Sequence, residues 1–135
     1  MKFSFTVSFL CLLTAFSFKA EAATYTVDTA QSEVSFSGTH AGNAFTGSFE
    51  AWTATIDFDP AAPEAGKLSA TFDLASAKTG NSMYDGTLPQ ADWFDIKNHP
   101  QASFTSTAIS TAGNNTFKVT GDLTLRGITK AVAFD

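Results

Sequence analysis

Phe117-Lys118-Val119-Thr120-Gly121-Asp122-Leu123-Thr124-Leu125 decides the fold. Its odd positions are Phe, Val, Gly, Leu and Leu, and its even positions are Lys, Thr, Asp and Thr. A strand turns successive side chains to opposite faces, so this run reads as a strand with one apolar and one polar face. Gly113-Asn114-Asn115 before it and Arg126-Gly127 after it are turn signals, and Ile128 to Phe134 forms the next strand.

The same period governs the chain toward its start. Val34, Phe36 and Gly38 share one strand face, with Ser35 and Ser37 on the other. Phe45, Gly47 and Phe49 share a parity; Trp52, Ala54, Ile56 and Phe58 share the opposite one. A strand through both runs must change phase near Glu50-Ala51, which predicts a β-bulge or a tight bend. Leu68, Ala70, Phe72 and Leu74 make another strand, reached through the turn chemistry of Asp59 to Gly66; Ala102 and Phe104 open one more. Only Ser76 to Pro100 breaks the alternation. There Asn81 is placed to cap a short helix carrying Met83 and Leu88 and stopped by Pro89, and Asp92 to cap a second turn of helix carrying Trp93 and Phe94. The fold class is therefore all-β and antiparallel, a sandwich or barrel with one short helical insertion laid across a face or mouth.

The first 22 residues read as an export signal. Met1-Lys2 is followed by an uncharged run, Phe3 to Phe18, and Ala20 and Ala22 stand at the −3 and −1 positions of an A-x-A site. Cleavage after Ala22 and a periplasmic destination are the expectations, leaving residues 23–135 as one domain. The chain has 8 basic and 13 acidic residues, for a net charge of −5. Losing Lys2, Lys19 and Glu21 with the leader makes it −6. Nucleic acid and anionic lipid headgroups are bound through Lys and Arg, so neither is an expected partner surface. The single cysteine, Cys11, lies in the leader, so the domain has no disulfide and no thiol chemistry.

Catalytic signatures are absent: there is no G-x-S-x-G elbow and no H-E-x-x-H pair. The two histidines, His40 and His99, are far apart in sequence, and no metal ligand set is expected from them. His99 reads as an exposed loop residue, and His40, at a strand end, as a turn residue or a contact for a ligand headgroup. Asp57 and Asp59 read as a solvated turn.

Aromatic residues are abundant. The domain keeps nine of 14 Phe, both Trp and both Tyr, many on strands beside Gly38, Gly47, Ala54, Ala70 or Gly121. Large residues facing small ones close a core tightly. The same mixture lines a tubular cavity for an apolar ligand. Periodicity leaves both readings open.

Several segments resemble the YceI-like family of exported polyisoprenoid-binding proteins. They are Tyr25-Thr26-Val27-Asp28 through Phe36; Gly47-Ser48-Phe49 with Ile56-Asp57-Phe58-Asp59-Pro60; and Ala75 to Asn81, with Asp85, Leu88 and Ala91-Asp92-Trp93-Phe94-Asp95. His99-Pro100-Gln101-Ala102-Ser103-Phe104-Thr105-Ser106-Thr107 and Val119 to Lys130 complete the set. The resemblance implies an extended, lipocalin-like antiparallel β-barrel whose pore holds an amphiphilic isoprenoid or related lipid, a quinone included, as a ligand and not as a cofactor. It implies no catalytic residues. Asp92-Trp93-Phe94-Asp95 resembles the branch related to membrane cytochrome b561 fusions, so a non-catalytic interaction module for such a redox partner is the alternative. A tail of about twenty carbons, at ~0.8 kcal/mol per buried methylene, offers on the order of 16 kcal/mol before ordering costs.

Parity and family position together nominate Phe36, Phe45, Phe49, Trp52, Trp93, Phe94, Phe104 and Leu123 as wall residues, with His40 near a mouth. Tyr84 stands where the family usually has Arg, Thr87 where many members have His, and Ala131 where Pro is common. Family members continue beyond the point matching Asp135 with strands that close the barrel. The expectation is therefore a barrel incomplete at its C-terminus, as a fragment or truncation, with pairing to another chain, such as a homodimer, as the alternative.

Overall fold

The structure, a computed structural model, describes residues 23–135. The leader and its cleavage after Ala22 lie outside the described residues. Among the described residues nine strands form: β1 (Ala23–Tyr25), β2 (Val34–His40), β3 (Asn43–Phe49), β4 (Trp52–Phe58), β5 (Lys67–Asp73), β6 (Ala77–Lys78), β7 (Gln101–Gly113), β8 (Thr116–Leu125) and β9 (Ile128–Phe134). One short helix, α1 (Ser82–Thr87), lies between β6 and β7. All strand neighbours are antiparallel. They form a six-stranded sheet, β1-β4-β5-β7-β8-β9, and a three-stranded sheet, β2-β3-β6.

The all-β antiparallel expectation therefore holds, and the closed barrel does not appear among the described residues. The six-stranded sheet ends at β1 and β9, and no ladder joins either edge to the three-stranded sheet.

The phase change at Glu50-Ala51 is a corner, not a bulge. β3 and β4 belong to different sheets, and two residues carry the chain between them. Ser76 fastens this corner. Its carbonyl accepts from the Glu50 amide at 3.2 Å, and its Oγ accepts from the Ala51 amide at 3.0 Å while donating to the Asp73 carbonyl at 2.7 Å. The bulges lie instead in β7, where the register against β8 shifts between Ser106 and Ala108 and again between Thr111 and Gly113.

Local chemistry explains the turns. Ala41-Gly42 and Arg126-Gly127 are two-residue hairpin loops with positive φ at both positions (49° and 81°, 54° and 72°). That geometry matches the twist of the flanking strands. The Asn81 side chain caps α1 by accepting from the amides of Met83 and Tyr84, as its position in the sequence predicts. The second helical turn does not form. Ala91 to Phe94 is a run of tight turns, in which the amides of Trp93 and Asp95 both donate to the Gln90 carbonyl at 2.9 Å. Leu74 lies just beyond β5 in a 3-10 turn, yet it is the most deeply buried large side chain, at 1% exposure. It joins Phe45, Phe49, Phe72, Leu88 and Phe104 in the core.

Candidate functional site

The β2–β3 and β4–β5 pairs use the same mixture of large and small residues in opposite ways. In the β2–β3 pair, Phe36 faces Gly47 and Phe45 faces Gly38. Each ring lies over the facing glycine: a Cβ on Gly47 would come within 2.5 Å of Phe36 Cζ, and one on Gly38 within 2.6 Å of Phe45 Cζ. Here large against small makes a closed core. In the β4–β5 pair, Ala54 faces Ala70. Small against small leaves the sheet open, and an apolar groove of about 530 Å³ lies over these alanines. Trp52, Phe72, Phe104 and Leu123 form part of its wall, and Val132 and Phe134 of β9 extend it. Ser32, Glu33 and Ser35 add polar groups to the lining.

Three of the nine nominated residues, Trp52, Phe104 and Leu123, line this groove. The other six gather beside it in two aromatic groups, Phe36 with Phe49 and Phe94, and His40 with Phe45 and Trp93. Phe36 lies 4.9 Å from Phe49 and 5.6 Å from Phe94, centroid to centroid. Phe45 lies 5.8 Å from Trp93, and His40 lies 5.3 Å from the same indole. Phe49 reaches Phe72 at 5.7 Å, which ties the first of these groups to the groove. Phe36 also borders a separate, polar groove with Lys78 and the hydroxyls of Ser35, Ser37 and Thr46.

Sequence reasoning missed Val34, Ile56, Leu68, Ala70, Phe72, Val132 and Phe134 in the groove lining. Their signal was present, since each shares the apolar parity of a strand; the choice of aromatic residues over aliphatic ones passed them by. Tyr84 was missed as well. It stacks on Phe45 at 4.8 Å, so the ring at this position joins the His40, Phe45 and Trp93 group.

The polar residues have structural partners. His40 is exposed beside Tyr84 and Trp93. His99 is half-buried, not exposed as expected, because its ring packs on the turn glycine: a Cβ on Gly127 would lie 3.1 Å from His99 Cε1. Asp57 accepts from Thr24 Oγ1 at 2.7 Å and Asp59 from the Ala61 amide at 2.8 Å. Asp85 accepts from the hydroxyl and the amide of Thr79, both at 2.7 Å. The Thr79 hydroxyl, then its amide, and the nearby Lys78 charge hold the Asp85 carboxyl below its ordinary value, against a smaller opposing effect of burial.

Comparison with known proteins follows the same lines. The YceI-like domain matches residues 25–135, the whole described domain but for two residues. The chain belongs to the YceI-like family. Among YceI relatives, a UPF0312 protein of Pseudomonas savastanoi pv. phaseolicola is 38% identical over 117 residues, covering 84% of this chain and 61% of the relative. One from Pseudomonas putida W619 is 38% identical over 119 residues, covering 86% and 62%. Of solved structures, BcnA of Burkholderia cenocepacia superposes with a TM-score of 0.74 at 40% identity, covering 79% of this chain and 67% of that one. A YceI protein of Campylobacter jejuni gives 0.61 at 37% identity, covering 81% and 64%. The chain thus spans about three fifths of the length of the curated YceI relatives it matches.

Proposed function

We propose that this YceI-like chain is a non-enzymatic carrier for an amphiphilic isoprenoid or related lipid, a quinone among the candidates. The observation that carries this reading is the groove over Ala54 and Ala70, about 530 Å³ and walled by Trp52, Phe104 and Leu123. An apolar tail gains ~0.8 kcal/mol for each methylene it buries, and asks of its site shape and dryness more than specific polar groups. Glu33, Ser32 and Ser35 in the lining offer hydrogen bonds to a polar head. Family resemblance supports the same ligand class. Residues 1–22 act as a leader removed after Ala22, so the carrier works in the periplasm.

Native mass spectrometry tests this on protein made in a bacterium with its leader attached, followed by solvent extraction. A chain beginning at Ala23 with a discrete lipid-sized adduct is the expected result. A folded chain that carries no adduct and takes up no geranylgeraniol when offered it refutes the carrier role. A mass that still includes the leader refutes export with cleavage. Copurification of a membrane cytochrome with an empty groove favours the interaction-module alternative instead.

A further inference from the structure

Phe72 belongs to two assemblies at once. Its ring lines the groove, and it also stacks on Phe49. Behind Phe49 stand Phe94, at 6.0 Å, and Phe36, at 4.9 Å. The groove therefore meets an aromatic wall at the Trp52–Phe72 end of the β4–β5 ladder. Phe36 and Phe49 are fixed on strands β2 and β3. Phe94 has no strand partner: it stands in the turns between α1 and β7, where its amide donates to the Leu88 carbonyl at 2.9 Å.

That loop is held from outside by the β8–β9 turn. The Arg126 guanidinium donates to the Ala91 carbonyl at 2.9 Å and to the Asp92 carbonyl at 3.4 Å, the two carbonyls immediately before Trp93-Phe94. At the other end of the loop, His99 rests on Gly127. One hairpin turn thus grips the loop at two places. The same hairpin supplies Leu123 and Val132 to the groove.

We infer that Phe94 is the stop that limits the length of tail the groove accepts, and that Arg126 is the positioning residue that holds this stop in place. The inference rests on the lipid-carrier reading and adds to it a determinant of tail length. Its physical basis is space. Without the Phe94 ring, Phe49 gains room to turn aside, and a tail lying along Ala54 and Ala70 can continue past Phe72. Each further methylene buried raises affinity about fourfold. Arg is suited to the clamp because its planar fork reaches two neighbouring carbonyls together.

The test is competition among farnesol, geranylgeraniol and longer linear polyprenols for the full chain, read by native mass spectrometry beside thermal melting. Phe94→Ala is expected to raise preference for the longer alcohols over farnesol by about tenfold or more. Arg126→Ala shifts preference in the same direction, and Arg126→Lys, which keeps a donor within reach of the Ala91 carbonyl, restores much of the original order. General loss of stability lowers occupancy for all alcohols alike and leaves their order unchanged. An unchanged order in Phe94→Ala refutes the stop, and a uniform loss in Arg126→Ala refutes the positioning role. If the unaltered chain binds none of the alcohols, the carrier reading itself fails and the inference falls with it.

Discussion

Ala54 and Ala70 are paired across β4 and β5, each bringing only a methyl to the sheet, with Phe104 of β7 beside Ala70 on its other side. The groove exists because two small residues meet there, with large ones on either side along both strands. Ala70→Phe is therefore expected to fill it. Binding of geranylgeraniol should fall by about tenfold or more while the melting temperature holds or rises, since the new ring gains apolar contact in open space and displaces no core residue. Parallel titration and melting of the variant and the parent decide the matter.

Phe49 and Trp52 lie three residues apart and separate core from groove. Phe49 is buried among the rings of Phe36, Phe72 and Phe94, so Phe49→Ala is expected to lower stability by about 3 kcal/mol or more. Trp52 is half-buried against the groove, so Trp52→Ala should lower ligand affinity with a smaller loss of stability. Denaturant unfolding and ligand titration of both variants check this. If Trp52→Ala leaves affinity per folded molecule unchanged, the indole is plain packing.

Asp85 gives the fold a dependence on acid. Its carboxyl titrates below the ordinary value of 3.8 when folded, because the Thr79 hydroxyl and amide favour the charged form. A depressed folded value means the contribution is fully present above the unfolded value and is lost as pH falls through the folded one. Asp85→Asn should thus destabilise the protein at neutral pH, and the difference from the parent should shrink steadily below about pH 4. Chemical unfolding across that range measures it, and a difference independent of pH would refute the assignment.

Two glycines should respond to alanine with opposite sign. Gly86 lies in α1, and a Cβ there meets nothing within 4 Å. Gly86→Ala is expected to stabilise by about 0.5 to 1 kcal/mol through lost chain entropy. Gly47 lies under the Phe36 ring and close to the Lys78 carbonyl. Gly47→Ala should cost about 1 to 3 kcal/mol, because the carbonyl belongs to the adjoining strand and cannot step aside. Melting curves of the pair supply both values.

Much of the architecture was legible in the sequence because the outer faces of the strands are polar. Ser35, Ser37, Lys118, Thr120 and Asp122 mark the period as clearly as the apolar residues between them. β1 and β6 escaped notice because three and two residues are too few to show a period. The phase change at Glu50-Ala51 was visible, but a bulge and a corner change parity alike, and only the separation of β3 and β4 into different sheets distinguishes them. The division between filled core and open groove was hidden for a related reason. Gly47 and Ala54 look similar along a strand, and what differs is the residue opposite: Phe36 in one case, Ala70 in the other. Pairing register is a property of two strands and is not written in either one. The Asp92 helix failed because Asp95 turns left-handed, with φ 50°, and the Gln90 carbonyl takes the amides three and five residues on, Trp93 and Asp95, where an α-helix takes the one four residues on.

The two tight turns around β8 also bear on how the chain reaches this structure. β7 joins β8 through Asn114-Asn115, and β8 joins β9 through Arg126-Gly127, so each ladder begins after closing a loop of two residues. β1 finds β4 only after the chain between Tyr25 and Trp52 has been brought round, with the β2–β3 hairpin inside that interval. Loop closure costs more entropy as the intervening chain grows, and non-local pairings form late. The β7–β8–β9 meander is thus the natural nucleus, and β1 the last strand to dock. Destabilising substitutions in the meander should slow folding, whereas those at Tyr25 should mainly hasten unfolding.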